Sequence, residues 1–318
     1  MSKIMIALGG NALGNSPREQ LDLVGDAARP IVDLIEQGHE IVIAHGNGPQ
    51  VGMIHKAIEI ASSQNPTIPT VPMAECVAMS QGYIGFHLQN AIREELQARN
   101  IQKSVVSLVT QVVVDKGDQA FQNPTKPIGV FYTKEEADRL ESEGLKLVED
   151  SGRGYRVVIP SPVPVKVVEA EAVKDLLKKG HVVITVGGGG IPVVEEGMTL
   201  KGVQAVIDKD SASEKIAEEL DLDYLFILTA VERVAVNYGK PDQKDLEYIS
   251  VEEAKMWIEE GQFPPGSMLP KVQSAIRFVE SKPGRKAVIS SLEKAKEAIL
   301  GKTGTTFYKN SSSPSLHF

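Results

Sequence analysis

The sequence predicts an α/β protein whose mainly parallel sheet is covered by helices on both faces. Along most of its 318 residues, apolar strand-like runs alternate with amphipathic stretches of helical length, a pattern typical of parallel sheets. Three of the runs, 3–8, 40–45 and 181–186, lead directly into glycine-rich turns. Open α/β sheets bind ligands beyond the carboxyl ends of their strands, where glycine lets backbone N–H groups approach an anion. The pattern therefore also predicts a site for a phosphate-bearing ligand.

The boundaries of the predicted elements have local reasons. Gly38 and Gly180 end two helical stretches, where a glycine C-cap is favoured. Pro49 stands in the favoured first turn of another helix. The predicted strands are 3–8, 40–45, 104–114, 181–186, 223–229 and 286–290. The predicted helices are 17–38, one opening near Pro49, 75–99, 171–179, 211–220, 251–260, 271–281 and 292–300.

Composition limits the class of protein. Apolar residues make up 42% of the chain, enough for a large core, and the net charge of −8 without a long basic run argues against a nucleic-acid partner. No apolar stretch approaches the ~18 residues of a membrane span, and the N-terminus lacks a signal-peptide layout. The single cysteine, Cys76, allows no intramolecular disulfide and fits a reducing compartment. We therefore expect a soluble cytoplasmic protein without membrane contact.

One segment interrupts the alternation of strands and helices. Residues 115–165 contain a glycine- and proline-containing stretch, 123–129, and a glycine- and arginine-rich stretch, 152–156, followed by the proline-spaced run 160–164. Long excursions in compact domains are often functional, so we expect an inserted subdomain or lid here. The serine-rich tail, 309–318, is expected to be frayed.

The glycine-rich turns do not match the common nucleotide-binding motifs. After Gly46-Asn47-Gly48 the third glycine, Gly52, comes one position too late for a dinucleotide fingerprint, which disfavours a dehydrogenase. The segment 301–303 resembles the end of a P-loop, but Lys296 stands where that loop needs glycine and a helical pattern precedes it. Both familiar classes are therefore set aside.

Two lysines near predicted helix starts are candidates for phosphate chemistry. Lys209 follows the glycine-rich segments directly, and Lys271 stands in a loop that opens a helix. Phosphoryl transfer needs positioning and cationic stabilisation of three charged oxygens. A lysine in such a loop is usually solvated, and Asp210-Ser211 is a good helix N-cap pair, so the residue types alone leave both roles open.

Other catalytic chemistries have no visible candidate in the sequence. The six histidines show no metal-binding spacing, and Cys76 has no cysteine partner, so no metal ligand is predicted. Cys76 is expected to be a packed thiol, and no serine stands in a nucleophile elbow. We therefore expect no covalent intermediate.

Eight segments carry a family resemblance: 7–13, 45–52, 80–85, 123–129, 152–156, 186–192, 206–210 and 266–271. Taken together, they resemble the amino acid kinase superfamily and, within it, the carbamate kinases, from residue 3 to about residue 306. The resemblance implies the reversible reaction ATP + carbamate ⇌ ADP + carbamoyl phosphate, a homodimer, and an αβα sandwich in two lobes with a protruding subdomain. It places carbamate and carbamoyl phosphate in lobe 1–220 and the nucleotide in lobe 221–308.

The resemblance also implies roles for individual residues. Lys209 and Lys271 would neutralise the transferring phosphoryl group, Asp210 would orient both lysines, and Lys126 would reach over the substrate from the lid. The first strand lacks the lysine of acetylglutamate-type kinases, with Ala7 near that position, and Lys209 would take its role. The acceptor and phosphate would be bound by Gly9, Gly10, Asn11, Gly46, Asn47, Gly48, Gly188 and Gly189. Adenine and ribose would be bound by Thr229, Ala230, Val231, Glu232, Tyr238, Lys240 and Met268.

Mg²⁺ is expected to arrive with ATP or ADP, without assigned protein ligands. The usual family role is ATP synthesis from carbamoyl phosphate in arginine catabolism or purine breakdown, and some relatives make carbamoyl phosphate instead. Two alternatives remain: another acid kinase of the superfamily, and a regulatory nucleotide-binding protein without catalysis. The lid residues Lys126, Arg153 and Arg156 argue against the first, and the intact Lys209, Asp210 and Lys271 argue against the second.

Overall fold

The computed structural model describes residues 1–10, 13–14, 16–150 and 152–309. Asn11 and the predicted tail beyond Lys309 lie outside these residues. The helices are α1 (Pro17–Glu36), α2 (Gly48–Gln64), α3 (Met73–Ala98), α4 (Lys134–Ser142), α5 (Ala170–Lys178), α6 (Lys209–Glu219), α7 (Val251–Glu259), α8 (Met268–Ser281) and α9 (Ala295–Ile299). The strands are β1 (Lys3–Leu8), β2 (Glu40–His45), β3 (Val105–Ser107), β4 (Gln111–Val114), β5 (Lys126–Tyr132), β6 (Leu147–Glu149), β7 (Tyr155–Ile159), β8 (Pro164–Val167), β9 (Val182–Ile184), β10 (Ile191–Glu196), β11 (Thr199–Gly202), β12 (Tyr224–Thr229), β13 (Val234–Val236), β14 (Lys244–Leu246), β15 (Tyr248–Ser250), β16 (Lys286–Ser291) and β17 (Thr305–Tyr308).

An eight-stranded sheet forms the centre of the molecule, in the order β15-β17-β16-β12-β1-β2-β9-β3. Each neighbouring pair in it is parallel except β16 with β17. The predicted α/β class with a mainly parallel sheet is therefore confirmed. Because β1, β2 and β9 are adjacent and parallel, the turns that follow them lie at one edge of the sheet.

The two faces of this sheet are covered by different helices. Successive side chains of a strand point to opposite faces, so Ile4 and Ile6 pack in one core and Met5 and Ala7 in the other. The first core contains buried side chains of α1, α3 and α9, and the second those of α5, α6, α7 and α8. The result is an αβα sandwich whose strands are buried on both faces, as their continuous apolar runs indicate.

Two predicted elements were wrong in extent. The predicted strand 104–114 is two strands, with β3 in the central sheet and β4 in a separate sheet of order β11-β10-β4-β8. Between them the Thr110 N–H donates to the side chain of Gln81 (2.9 Å). The last predicted helix, 292–300, shortens to α9. Strands β15 and β17 were not predicted, because three or four residues are too few to show a period.

The interrupted segment contains a small sheet of its own. Strands β5, β7 and β6 pair antiparallel. Helix α4 begins at a capping box formed by Thr133 and Glu136 and packs Ala137 and Leu140 on that sheet in a separate small core. We call this segment, residues 115–165, the inserted subdomain. No helix among the described residues is long and apolar enough to cross a membrane.

Candidate active site

The turns after β1 and β2 meet the start of α6. A Cβ atom on Gly46 would lie 3.9 Å from the backbone nitrogen of Gly10 and 3.6 Å from Cδ of Lys209. A Cβ atom on Gly9 would lie 2.7 Å from the carbonyl oxygen of Leu228 in β12, which is too close for any side chain. The glycines therefore let three backbone segments and one lysine converge.

The turn after β9 joins the same place. Gly188 and Gly189 have φ angles of +65° and +94°, a region that favours glycine. A Cβ atom on Gly188 would lie 2.1 Å from Nδ2 of Asn47, and one on Gly189 would lie 2.2 Å from the carbonyl oxygen of Ile207. This turn thus contacts both the turn after β2 and the segment that leads into α6.

Helix α6 begins two residues before its predicted start. Oδ1 of Asp208 accepts hydrogen bonds from the backbone N–H groups of Asp210 (2.9 Å) and Ser211 (3.2 Å), so Asp208 is the N-cap. The capping role that the sequence left open for Asp210-Ser211 therefore belongs to Asp208. Because Asp208 takes the cap, the carboxylate of Asp210 is available to other partners.

Asp210 joins the two candidate lysines. Its carboxylate is 1% exposed, with Oδ1 accepting a hydrogen bond from the Lys209 ammonium and Oδ2 one from the Lys271 ammonium (3.0 Å for Lys271). Such charge-assisted bonds orient both ammonium groups. Lys271 lies in the first turn of α8, which begins at Met268, so its predicted position in a loop before the helix was wrong. The cluster therefore connects two helices on the same side of the sheet.

The pKa values of the cluster reflect opposing effects of burial and of neighbouring charges. Burial alone would raise the pKa of the Asp210 carboxyl, but the charges of Lys209 and Lys271 outweigh burial and lower it. Burial also lowers the pKa of the Lys209 ammonium, against the attraction of Asp210. For Lys271 burial is outweighed by the carboxylates of Asp210 and Asp208, and its pKa is raised.

Lys126 reaches this cluster from the inserted subdomain. Its ammonium donates to Oδ2 of Asp208 at 3.0 Å, while the other carboxylate oxygen caps α6. Burial raises and the nearby lysines lower the pKa of Asp208, which ends well below its usual range. Sequence reasoning assigned no role to Asp208; its position three residues before a helical stretch was the only available signal.

These residues surround one open space of about 600 Å³, which we call the central cavity. Three ammonium groups and two carboxylates line it, leaving one net positive charge before Arg153 and Arg156 of the inserted subdomain are counted. The predicted residues that line the central cavity are Gly10, Gly46, Asn47, Gly48, Lys126, Gly188, Lys209, Asp210 and Lys271. Gly9 and Gly189 lie in the same turns, behind the lining residues.

A second space of about 200 Å³, the side cavity, adjoins the central cavity through Lys271, which lines both. The predicted residues that line the side cavity are Thr229, Ala230, Val231, Tyr238 and Met268. In the part of the chain that the structure describes, Glu232 and Lys240 are not among its lining residues. Glu232 accepts a hydrogen bond from Thr303, and Lys240 is exposed in the turn between β13 and β14.

Arg233 lines the side cavity and was not predicted. Its Nε atom is buried and has no hydrogen-bond partner among the described residues. Buried polar groups are nearly always paired, so this atom is an exception among the residues that line the side cavity. A lone arginine after a strand carries no sequence signal that would have identified it.

Buried polar side chains of helix α3 form hydrogen bonds with the turns after β2 and β9. Nδ2 of Asn47 donates to Oγ of Ser80 (2.9 Å). Nε2 of Gln81 donates to the carbonyl oxygens of Gly187 and Thr110, both at 3.0 Å. No role was assigned to the motif 80–85 from the sequence. These contacts show that it positions two of the glycine-rich turns.

His45, at the end of β2, is buried beneath the same turns. Its Nδ1 lies 2.8 Å from the carbonyl oxygen of Gly46, so Nδ1 carries the proton and donates. Burial lowers the pKa of His45 from 6.5 to about 4, assisted by the charge of Lys209 and opposed by the bond to Gly46. The ring is therefore neutral at neutral pH.

We expect His45 to make the fold acid-sensitive. The unfolded chain binds a proton at His45 near pH 6.5 and the folded chain only near pH 4, so this group destabilises the fold as pH falls between those values. Between pH 7.5 and pH 5, His45 should lower the free energy of unfolding by about 2 kcal/mol. In His45→Gln, the free energy of unfolding measured in urea should therefore fall by about 2 kcal/mol less over this pH range than in the unmodified chain. An equal loss in both proteins would contradict the assignment.

Comparison with known proteins identifies the family. The model of the amino acid kinase family matches residues 2–291. This chain belongs to the amino acid kinase family. Within this family, the chain is 57% identical to the carbamate kinase-like protein YqeA of Escherichia coli K12, over 95% of this chain and 98% of that protein. It is 55% identical to the carbamate kinase of Clostridium perfringens, over 96% and 100% of the two chains.

The structural comparison agrees. The solved structure of carbamate kinase from Giardia lamblia bound to AMP-PNP matches this amino acid kinase with a TM-score of 0.87 and 42% identity, covering 97% of this chain and 99% of that one. The chain is thus a phosphotransferase enzyme of the carbamate kinase group, and the resemblance found in its sequence is confirmed.

The described residues of this amino acid kinase contain no group of three or more His, Cys, Asp or Glu side chains placed to bind a metal ion. The two carboxylates of the central cavity, Asp208 and Asp210, are already bound to lysines. The chemistry of the site therefore suits an anionic ligand better than a protein-bound cation.

Proposed function

We propose that this chain catalyses the reversible transfer of a phosphoryl group between ATP and carbamate, giving ADP and carbamoyl phosphate. The observation that carries the proposal is the position of Lys271, whose side chain lines both the central cavity and the side cavity. A nucleotide whose base lies in the side cavity would direct its terminal phosphate past Lys271 toward Lys209. The high identity to carbamate kinases supports carbamate as the acceptor.

In this proposal the lysines stabilise the charge that moves during transfer. Lys209 and Lys271 contact the equatorial oxygens of the phosphoryl group, and Asp210 keeps both ammonium groups oriented before the substrate arrives. Preorganised charges of this kind need no reorganisation during the reaction. No general base is required, because carbamate and the β-phosphate of ADP are already anions. Transfer is direct and in line, without a covalent intermediate.

The acceptor side is formed by backbone donors and by the lid. N–H groups of the turns at Gly9, Gly10, Asn11, Gly48 and Gly188 would bind carbamate and the transferred phosphate, together with the amide of Asn47. The N–H groups of Gly46 and Gly189 already donate to the carbonyl oxygens of Leu8 (3.1 Å) and Val186 (3.0 Å), so these two glycines would serve by leaving space for the substrate. Lys126 would exchange its bond with Asp208 for a substrate oxygen and help exclude water.

The nucleotide side takes adenine and ribose in the side cavity. Thr229, Ala230, Val231, Tyr238 and Met268 would contact them, with Glu232 and Lys240 at the rim. Mg²⁺ would enter as the metal complex of ATP or ADP and neutralise phosphate charge. It is therefore part of the substrate rather than a resident of the protein.

We further propose that the enzyme is a cytoplasmic homodimer that produces ATP from carbamoyl phosphate in arginine catabolism. Residues 1–220, with the inserted subdomain, would form the acceptor lobe, and residues 221–308 the nucleotide lobe. The relation to carbamate kinases supports these assignments. The energy-rich mixed anhydride of carbamoyl phosphate favours the direction of ATP formation.

The acceptor is tested in the ATP-consuming direction. Ammonium and bicarbonate together form carbamate in solution, so release of ADP from ATP and Mg²⁺ should require both salts. Acetate and N-acetylglutamate serve as matched carboxylate controls and should support no release. Release of ADP with either control, and none with ammonium plus bicarbonate, would show that the acceptor is a different acid.

A further inference from the structure

The inserted subdomain crosses α2 at two glycines. A Cβ atom on Gly52 of α2 would lie 2.2 Å from Cα and 2.5 Å from the backbone nitrogen of Gly129 in β5. These are backbone atoms, which cannot rotate aside as the end of a flexible side chain can. Gly129 also has a φ angle of +72°, which favours glycine. Both positions are therefore restricted to glycine, for two different reasons.

This crossing joins two parts of the active site. Helix α2 begins at Gly48, directly after the turn that lines the central cavity, and Gly52 comes one helical turn later. Strand β5 begins at Lys126, three residues before Gly129. The distance between the two backbones at the crossing therefore sets how far Lys126 stands from the turn after β2.

The ion pair of Lys126 does not by itself set that distance. Oδ2 of Asp208 accepts a hydrogen bond from the end of a long side chain with four rotatable bonds, so the pair fixes the ammonium group more closely than it fixes the backbone of β5. Apolar contacts beside the crossing keep the subdomain attached, since Val51 of α2 and Ile128 of β5 pack in one buried cluster. The backbone contact, rather than the charge pair, then determines where β5 lies.

We propose that Gly52 and Gly129 are positioning residues for Lys126. Their close backbone contact sets the depth at which the inserted subdomain lies over the central cavity and so brings the Lys126 ammonium to the transferring group. This inference rests on the role of Lys126 in the proposed function. The enzyme would then depend on Gly52, which does not line the central cavity, whereas Gly129 does.

Space beside the crossing allows the fold to tolerate a change. A cavity of about 190 Å³ lies between α2 and the inserted subdomain and is lined by Gly52, His55, Met73, Gly129 and Tyr132, among others. In Gly52→Ala, β5 would have to move by roughly 1–1.5 Å to restore a carbon–carbon contact near 3.5 Å. The neighbouring cavity can take up part of that movement, so we expect a folded variant with a displaced lysine.

The experiment compares kinetic parameters of Gly52→Ala with those of the unmodified enzyme. A displacement near 1 Å can cost about 10²-fold, so kcat/KM for carbamoyl phosphate should fall about 10- to 100-fold. The KM for ADP should stay close to normal, which a general loss of structure would not produce. The matched control is Gly25→Ala in α1, where an added Cβ meets nothing within 4 Å.

A double variant separates positioning from other effects. If Gly52 acts through Lys126, Gly52→Ala/Lys126→Ala should be no slower than Lys126→Ala alone. If the double variant lost activity by the product of the two single losses, the inference would be overturned. It would also be overturned if Gly52→Ala had normal activity while Lys126→Ala was slow. Neither result would contradict the proposed function. Normal activity of Lys126→Ala would instead remove the role of Lys126, and the inference with it.

Gly129→Ala is the second variant should Gly52→Ala fail to fold. Its added Cβ would meet Cα of Gly52 at 3.9 Å, an ordinary contact, but the φ angle of +72° is unfavourable for alanine and would shift the strand. We expect Gly129→Ala to lower kcat/KM for carbamoyl phosphate without changing the KM for ADP. In a protein that already carries Lys126→Ala, it should cause no further loss. If the double variant Gly129→Ala/Lys126→Ala lost activity by the product of the two single losses, the inference would be overturned as well.

Discussion

Lys209→Ala should lower kcat for ATP formation about 10²- to 10³-fold, the usual effect of removing one preorganised charge from a transition state. The Lys209 side chain lies beside Gly46 in the turn after β2 and lines the central cavity. The variant should bind ADP nearly as well as the unmodified enzyme, because the proposed base and ribose contacts lie in the side cavity. Steady-state kinetics and calorimetric ADP binding measure the two effects separately.

Lys215→Ala is the matched control for this prediction. Lys215 lies on the same helix, donates to Glu218 and does not line the central cavity. It should retain normal turnover. Near-normal turnover of Lys209→Ala, or equal losses in the two variants, would contradict the role assigned to Lys209.

Asp210→Asn should reduce both turnover and stability. The neutral amide leaves the ammonium groups of Lys209 and Lys271 without the carboxylate that they share, and breaking a buried ion pair costs about 3–5 kcal/mol. We therefore expect a similar loss in the free energy of unfolding and a fall in kcat of at least about 10²-fold. Urea unfolding and ATP-formation kinetics are the measurements.

Inorganic phosphate provides a specific readout for the same variant. An anion bound between the two lysines replaces part of the missing charge and stabilises the folded state by mass action. Phosphate should therefore raise the stability of Asp210→Asn more than that of the unmodified enzyme. Glu218→Gln, which changes a carboxylate on the outer part of α6, is the control and should behave normally. An Asp210→Asn variant as stable as the unmodified enzyme, with no greater response to phosphate, would contradict the account.

Local patterns explain which parts of the fold could be predicted. Strands such as β1 and β2 are buried on both faces, so they appear in the sequence as short continuous apolar runs followed by glycine. The division of 104–114 into two strands could not be predicted, because it depends on a hydrogen bond between Thr110 and Gln81, 29 positions apart. From the sequence, Asp210 with Ser211 was the candidate cap of α6. In the structure Asp208 is the cap, and the carboxylate of Asp210 is bound by Lys209 and by Lys271, which is 61 positions away.

The candidate site was predictable in its types of residue but not in its contacts. Glycines at strand ends and lysines at helix starts have recognisable local settings. The pairing of Lys126 with Asp208 spans 82 positions, and Arg233 enters the side cavity with no distinctive neighbours. The contact of Gly52 with Gly129 exists only because the inserted subdomain folds back over α2. Contacts of this kind follow from tertiary packing, which a single sequence does not display.

The most direct test of the account is ATP formation from ADP, Mg²⁺ and freshly prepared carbamoyl phosphate, with acetyl phosphate in a parallel reaction. We expect rapid ATP formation from carbamoyl phosphate and much slower ATP formation from acetyl phosphate. In Lys209→Ala, almost no ATP should form from either substrate. No ATP from carbamoyl phosphate by an enzyme that still binds ADP would contradict the assignment of carbamate as the acceptor.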